Sequence, residues 1–337
     1  MIVPVFIPFD GCPHRCVFCE QEKISSQPAA HVGADNVRLV IEQALASPSF
    51  SRSVENEIAF YGGTFTNLPV SRISELLGAA APYLARGFFA GIRVSTRPDA
   101  IDHRICDLLA HGGVRTVELG VQSMNDRVLS MSGRGHTSSD TVNAVGILAA
   151  RGLKVGVQLM PGLPGDSKDD FAETVSSVIS LRPDMVRIYP AVVIQGTLLE
   201  RMYREGCYRP LDLEEALDWC TDACMRFEAE DIPVIRLGLM NSPSLREPGR
   251  IVDGPWHEAF GHMVRSRVYQ RKISPMLAAG RFHGLELTVH ARPGDIPLLR
   301  GHGNQGLEWI EARFGIRIAK IIPDEGIPSG GLTVEVL

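Results

Sequence analysis

Three cysteines crowd the first twenty residues. Cys12, Cys16 and Cys19 stand as Cys-x3-Cys-x2-Cys in the string FDGCPHRCVFC. Thiolates this close in sequence can surround one inorganic centre. A 4Fe–4S cube normally takes four cysteines, so three protein ligands leave one iron open to a small molecule bearing amine and carboxylate groups. The competing reading is a structural zinc knot, which needs a fourth donor, and His14 inside the loop is the nearest one. Cys220 and Cys224, with Cys207 upstream, suggest a second cluster. Leu213, Leu217, Cys220, Cys224 and Phe227, however, fall on one apolar helical face, where Cys packs as a small hydrophobe, and Cys106 reads the same way. His257, Glu258 and His262 do not form a zinc-protease helix, because that pattern needs histidines four residues apart and these are five apart.

Something must hold the cysteine loop. Short apolar runs recur about every 30 residues, at Ile2–Ile7, Ile58–Tyr61, Gly91–Ser95, Thr116–Val121, Leu153–Met160 and Met185–Tyr189. Amphipathic segments lie between them: Val37, Val40, Ile41, Ala44 and Leu45 share one helical face, as do Phe171, Val175, Val178 and Ile179. Uninterrupted apolar strands joined by helices are the mark of a parallel sheet buried on both sides. Six such units predict an α/β fold, a partial (β/α)6 TIM-like barrel whose chemistry sits at the C-terminal ends of the strands. Each run does lead into an unusual loop: FDGCPHRCVFC, YGGTF, STRPD, ELGVQS, MPGLPG and IYPAVVIQGT.

The rest of the chain follows a different pattern. A helix near 212–230 precedes a short strand, Pro233–Leu237, and the Pro/Gly-rich stretch NSPSLREPGRIVDGP. The last 55 or so residues read strand, helix, glycine turn, helix, strand, strand. The expected domains are a core barrel (1–205), a helical extension (206–275) and a small C-terminal α/β module (276–337).

Composition excludes several classes. Of 337 residues, 45% are hydrophobic and 22% charged, which suits a folded globular protein rather than a disordered one. No uncharged apolar run reaches the roughly 18 residues of a membrane span, and the start does not read as a secretory signal. Seven cysteines, an odd number, do not make a disulfide framework, so reduced thiols and a cytoplasmic location are expected. The net charge of −5 argues against a protein basic all over. Arg265 to Arg300, however, holds seven basic residues against two acids, and is +5.

CPHRCVFC resembles the signature of the radical S-adenosylmethionine (radical SAM) superfamily, with Phe18 as its aromatic position. The resemblance implies a 4Fe–4S cluster on Cys12, Cys16 and Cys19 and S-adenosylmethionine as cofactors, reductive formation of a 5′-deoxyadenosyl radical, and a reductant protein such as flavodoxin or ferredoxin. The cofactor then does the hard chemistry and the protein supplies placement and shielding. Within the superfamily, GGTFTNLP, STRPD, VELGVQSMNDRVL, RGHT, MPGLPG and IYPAVVIQGT resemble, in order, the radical SAM domain of the Elongator catalytic subunit over residues ~4 to ~200. That family has a longer first cysteine spacing and an acetyltransferase domain; this chain has the plain spacing and too few remaining residues, so acetyl-CoA chemistry does not carry over.

The oxygen-independent coproporphyrinogen oxidase family is a more distant likeness, and it implies cofactor contacts by motif. Gly62, Gly63 and Thr64 resemble the turn whose backbone meets the methionyl amino group, where a Cβ would block approach. Gln122 matches a glutamine near the ribose and carboxylate. Arg134 falls where an arginine pairs the carboxylate of the nucleotide, a task suited to its fork. Gln158 and Met160 fall at ribose- and adenine-contacting positions. Ser95 and Gln158 replace acids. Glu118 is an Elongator-like rim residue without an assigned partner.

LLRGHGNQGLEWIEARFGIRIAKI resembles a KH domain: a glycine loop, a helix with Leu307 and Ile310, then Gly315 and a strand with Ile316 and Ile318. KH loops of the form GxxG lie against a nucleic-acid backbone. Here the fourth loop position is Asn304, and Glu308 and Glu311 follow on the helix; the alternative is a small lid in which Gly301 and Gly303 merely turn the chain. Three functional readings result. The first is a radical SAM enzyme for tRNA or other RNA, contacted through the basic C-terminal region. The second is a radical SAM enzyme for a small metabolite or protein side chain. The third is an iron–sulfur electron-transfer protein without SAM chemistry.

Overall fold

The computed structural model describes residues 1–20, 32–52, 55–239 and 242–337; Asn241, which opens the Pro/Gly-rich stretch, lies outside them. Seven parallel strands lie side by side: β1 (Ile2–Ile7), β2 (Glu57–Gly62), β3 (Gly91–Thr96), β4 (Val114–Gln122), β5 (Lys154–Leu159), β6 (Met185–Ile188) and, beyond a two-residue β7 (Val193–Ile194), β8 (Val234–Leu237). They form an open half-barrel. The sequence predicts six of these strands for the barrel. It also marks Pro233–Leu237 as a strand but places it in the extension, whereas it pairs with β6 in the sheet. β7 pairs antiparallel with β9 (Ile251–Asp253).

The strands alternate. One face presents Val3, Val5, Ile58, Phe60, Ile92, Val94, Val117, Leu119, Val155, Val157, Val186 and Ile188, all buried. That face takes up the apolar stripes of helices such as Val70–Ala85 and Lys168–Leu181, whose Ile73, Leu76, Phe171 and Val175 are buried. The crossover helices begin at side-chain caps. Thr137 and Asp140 make a reciprocal capping box, and Asp102, Ser167 and Thr197 each accept a backbone N–H. Each cap contributes about 1 kcal/mol. The other face turns to the lumen. The register sets Phe6 beside Tyr61, Ala59 beside Arg93, Ser95 beside Glu118, Glu118 beside Gly156, and Gln158 beside Arg187. A closed barrel fills this space with branched apolar layers. Here it is polar.

Two compact units emerge: residues 1–212 with 227–256, and residues 213–226 with 257–337. These divisions differ from the sequence-based ones at 205 and 275. The first fourteen residues of the helix Leu213–Ala229 belong with the second unit, where Glu214 pairs with Arg267 at 2.5 Å and Asp218 and Asp222 both pair with Arg271. Two of the seven basic residues of the Arg265–Arg300 stretch are thereby neutralised inside their own unit. On that helix Cys220 and Cys224 are fully buried, as is Cys106 on His103–His111.

In the second unit a three-stranded sheet runs β11 (Arg317–Pro323), β10 (Glu286–Ala291), β12 (Leu332–Val336), with β11 parallel and β12 antiparallel to β10. The connection from β10 to β11 holds two helices, Ile296–Arg300 and Gln305–Phe314, joined by the loop GHGN. Tyr269, Ile273, Leu287, Val289, Leu299 and Ile310 form the core. Gly301, at φ 70° and ψ −179°, occupies a region open essentially to glycine alone. A Cβ on Gly306 would come 2.5 Å from the Leu299 carbonyl oxygen, so the second helix starts hard against the end of the first.

Candidate functional site

The cysteine loop is stitched to the turn after β2. Thr64 N–H donates to the Asp10 carbonyl at 2.8 Å, Asn67 Nδ2 donates to the Gly11 carbonyl at 2.7 Å, and Cys12 Sγ lies 3.4 Å from Thr64 Oγ1. The glycines serve this seam. A Cβ on Gly63 would fall well inside van der Waals distance of the Asp10 carbonyl oxygen, and one on Gly11 would strike the Thr64 carbonyl. Gly62 needs its positive φ of 111°. The sequence reading gave the glycine pair to ligand approach; for Gly63, the backbone of the cysteine loop already occupies the space a side chain would take.

On the other side the loop rests on residues 132–135. Val17 N–H donates to the Ser132 carbonyl, and Arg134 Nη1 donates to Cys16 Sγ at 3.1 Å while its Nη2 bonds the Gly120 carbonyl. Arg134 Nε is buried without a partner. Gln122 closes β4 at φ 70°, a left-handed conformation that costs a non-glycine residue of order 1 kcal/mol or more. It is held there by Met160 N–H on its carbonyl at 2.9 Å and by Gln158 Nε2 on its Oε1 at 3.3 Å.

All thirteen residues singled out in the sequence line one cavity of about 540 Å3: Cys12, Cys16, Phe18, Cys19, Gly62, Gly63, Thr64, Ser95, Glu118, Gln122, Arg134, Gln158 and Met160. Phe18 also packs against Val128, Met160, Leu163 and Ala191. Among the described residues no three His, Cys, Asp or Glu side chains converge on one ion. Cys12, Cys16 and Cys19 line the same cavity as the glycine turn and Arg134, whose Nε is without a partner, and a donor set of three thiols suits an iron–sulfur cluster.

The sequence reading missed a buried charge network in the lumen. Glu118, given there to the rim, accepts from Arg93 Nη1 at 2.5 Å and pairs with Arg187 Nη2 at 2.7 Å. Arg93 also holds Glu57, whose other oxygen accepts from Thr116 at 2.7 Å. Arg187 donates to the Tyr61 hydroxyl at 2.9 Å and the Tyr189 hydroxyl at 3.3 Å, and lies 5.3 Å over the Tyr61 ring. Burial, then the Glu118 charge, push the Tyr61 hydroxyl up to about 12. The available signal was one polar residue inside each apolar strand, Arg93 in GIRVS and Arg187 in MVRIY, at positions that alternation turns inward.

Two neighbours titrate abnormally. Burial, reinforced by Arg134 and Arg97, lowers His136 to about 4, so its ring is neutral at physiological pH. Burial raises Asp166, in the MPGLPGD loop, to about 7 against the pull of two backbone N–H donors from Gly162 and Ser167.

A model of the Radical SAM superfamily matches residues 6–178, and one of the radical SAM C-terminal domain matches residues 183–270. An uncharacterized protein of Methanocaldococcus jannaschii is 32% identical over 236 residues, covering 64% of this chain and 70% of that protein. A tRNA uridine(34) acetyltransferase of the same organism is 38% identical over 128 residues, which is 37% of this chain and 24% of that enzyme. The solved structure of Methanocaldococcus infernus Elp3 with an N-terminal deletion superposes with a TM-score of 0.60 at 25% identity, covering 80% of this chain and 62% of that one.

Proposed function

Because this chain belongs to the radical SAM superfamily, and so uses a 4Fe–4S cluster and S-adenosylmethionine, we propose that it modifies tRNA or another RNA. Membership sets aside the reading as a bare electron carrier. When bound there, the two cofactors would supply radical chemistry that removes hydrogen from a substrate. In this proposal Cys12, Cys16 and Cys19 hold the cluster, and the turn at Gly62, Gly63 and Thr64 fixes the loop that carries them. Arg134, beside Cys16, holds a carboxylate. Gln122 and Gln158 offer amides, while Phe18 and Met160 give apolar walls that exclude water.

The observation that carries the RNA reading is the second unit. Two helices meet at a glycine loop between parallel strands, and His302, Gly303 and Asn304 stand exposed. Such a loop presents backbone rather than side chains, which suits close approach of a phosphodiester chain. The likeness to proteins named for tRNA uridine(34) acetylation points the same way. The net charge of −5 and the neutralised Arg267 and Arg271 favour the second reading, a small-metabolite or protein substrate. The test is anaerobic reconstitution followed by 5′-deoxyadenosine assay with bulk tRNA or with a metabolite pool, beside tRNA binding at graded salt. RNA modification predicts stimulation by tRNA and affinity that falls as salt rises. Absence of salt-sensitive binding refutes it. No helix among the described residues is long and apolar enough to cross a membrane.

A further inference from the structure

Arg187 and Arg236 stand directly opposite each other across β6 and β8. Like charges in that relation destabilise a strand pair unless a counter-charge serves both. Glu118 reaches Arg187 but is shared with Arg93, which also engages Glu57. Two guanidiniums, Arg93 and Arg187, thus take up both carboxylates, and Arg236 has no ion pair or hydrogen bond among the described residues. Other arginines also reach the cavity, of which Arg97 is paired with Asp99 at 2.8 Å. Among the described residues Glu118 is the sole acid lining the cavity, whose lining includes Arg15, Arg97, Arg134, Arg187 and Arg236.

The groups beside this unbalanced pair are donors. The Tyr189 hydroxyl accepts from Arg187 and keeps its own hydrogen to give. Arg187 Nε is without a partner. Arg187 itself is held rigid by Glu118, by two tyrosine hydroxyls and by the Tyr61 ring. Space is kept for this arrangement: a Cβ on Gly156 would come within 3.1 Å of Glu118 Cγ and 3.3 Å of Met185 Cγ.

We propose that Arg187, Arg236 and Tyr189 form an oxyanion-binding site on the inner wall of the cavity, which receives a phosphate or carboxylate group of the substrate. Guanidinium forks and a phenol hydroxyl are all donors, and charge-assisted bonds to an oxyanion are about twice as strong as neutral ones. Glu118 is the positioning residue: it fixes the Arg187 fork and keeps the site from carrying two surplus charges. The inference does not depend on the substrate being RNA.

The test titrates the reconstituted protein with inorganic phosphate and with acetate at constant ionic strength, by calorimetry. Variants R236Q and Y189F are compared with R52Q, an exposed arginine outside the cavity. Arg236 is exposed and unpaired, so R236Q is expected to fold. Saturable binding of either anion is expected, weakened about tenfold in R236Q and about threefold in Y189F, and unchanged in R52Q. The anion that binds names the chemical class. Binding of neither anion, or equal binding by R236Q and wild type, overturns the site. Equilibrium binding of S-adenosylmethionine to the reconstituted protein supplies the second readout: a tenfold loss there in R236Q would give the site to the cofactor and overturn its assignment to substrate.

Discussion

Replacing Glu118 by Gln keeps the shape of a buried side chain and removes its charge. Glu118 is 6% exposed and holds two guanidiniums at 2.5 and 2.7 Å. After the change Arg93 still has Glu57, but Arg187 is left with no anionic partner, only hydroxyls and a neutral amide oxygen. Removing one partner of a buried ion pair costs about 3–5 kcal/mol. The Arg93–Glu57 contact and the partial exposure of Arg187 place the cost at the lower end, about 3 kcal/mol. For a unit of this size each kcal/mol moves the midpoint by roughly 2–4 °C, so the first unit should melt roughly 6–12 °C lower. The double variant E118Q/R187M removes the stranded cation as well and should recover to within about 1 kcal/mol of wild type. Differential scanning calorimetry is the assay, because it separates the transitions of two units. A shift below about 2 °C in E118Q, or additive losses in the double variant, would refute the network as described.

Gly63→Ala should cost about 1–3 kcal/mol, because both colliding groups are backbone, and should lower iron incorporation on reconstitution; Gly78→Ala, where a Cβ meets open space, is the matched control and should retain full iron content. Lowering the pH from 7 to 5 should remove about 2 kcal/mol of stability through His136, since the unfolded imidazole takes up a proton near 6.5 and the folded one only near 4. Asp166 works in the opposite sense between about pH 4 and 7, so the measurement is the difference between wild type and H136Q in chemical denaturation, and a pH-independent difference contradicts the shift. Cys220→Ala and Cys224→Ala should leave iron content unchanged while lowering thermal stability; loss of iron in either would make them ligands instead of core.

The local parts of this protein were legible in its sequence. A Cys-x3-Cys-x2-Cys loop, a GGT turn and a GVQS strand end each carry their chemistry within a few residues. Parallel strands buried under helices read as plain apolar runs, which exposed six of the seven barrel strands and the order of their loops; the radical SAM resemblance read from those motifs agrees with the family match. The rest depends on partners far apart in the chain. Arg93, Glu118 and Arg187 each look like an isolated polar residue in a strand, and only the register of β3 to β6 brings them together. Val234–Leu237 reads as a strand, but no local feature says which sheet it joins. The glycine at 63 is conspicuous, yet the carbonyl that demands it belongs to Asp10. The basic stretch from Arg265 loses Arg267 and Arg271 to acids on a helix some 50 residues upstream, which charge counting within a window cannot detect.

The central claim is that the three thiols lining the cavity of the half-barrel grip an iron–sulfur cube with one iron left for S-adenosylmethionine. Electron paramagnetic resonance of the anaerobically reconstituted, reduced protein, before and after addition of S-adenosylmethionine, tests it most directly, alongside C12S, C16S and C19S. About four irons per chain are expected, with g values that shift on addition of the nucleotide and a signal lost in each single variant. A signal that survives in any one of the three variants, or that is indifferent to S-adenosylmethionine, would contradict it.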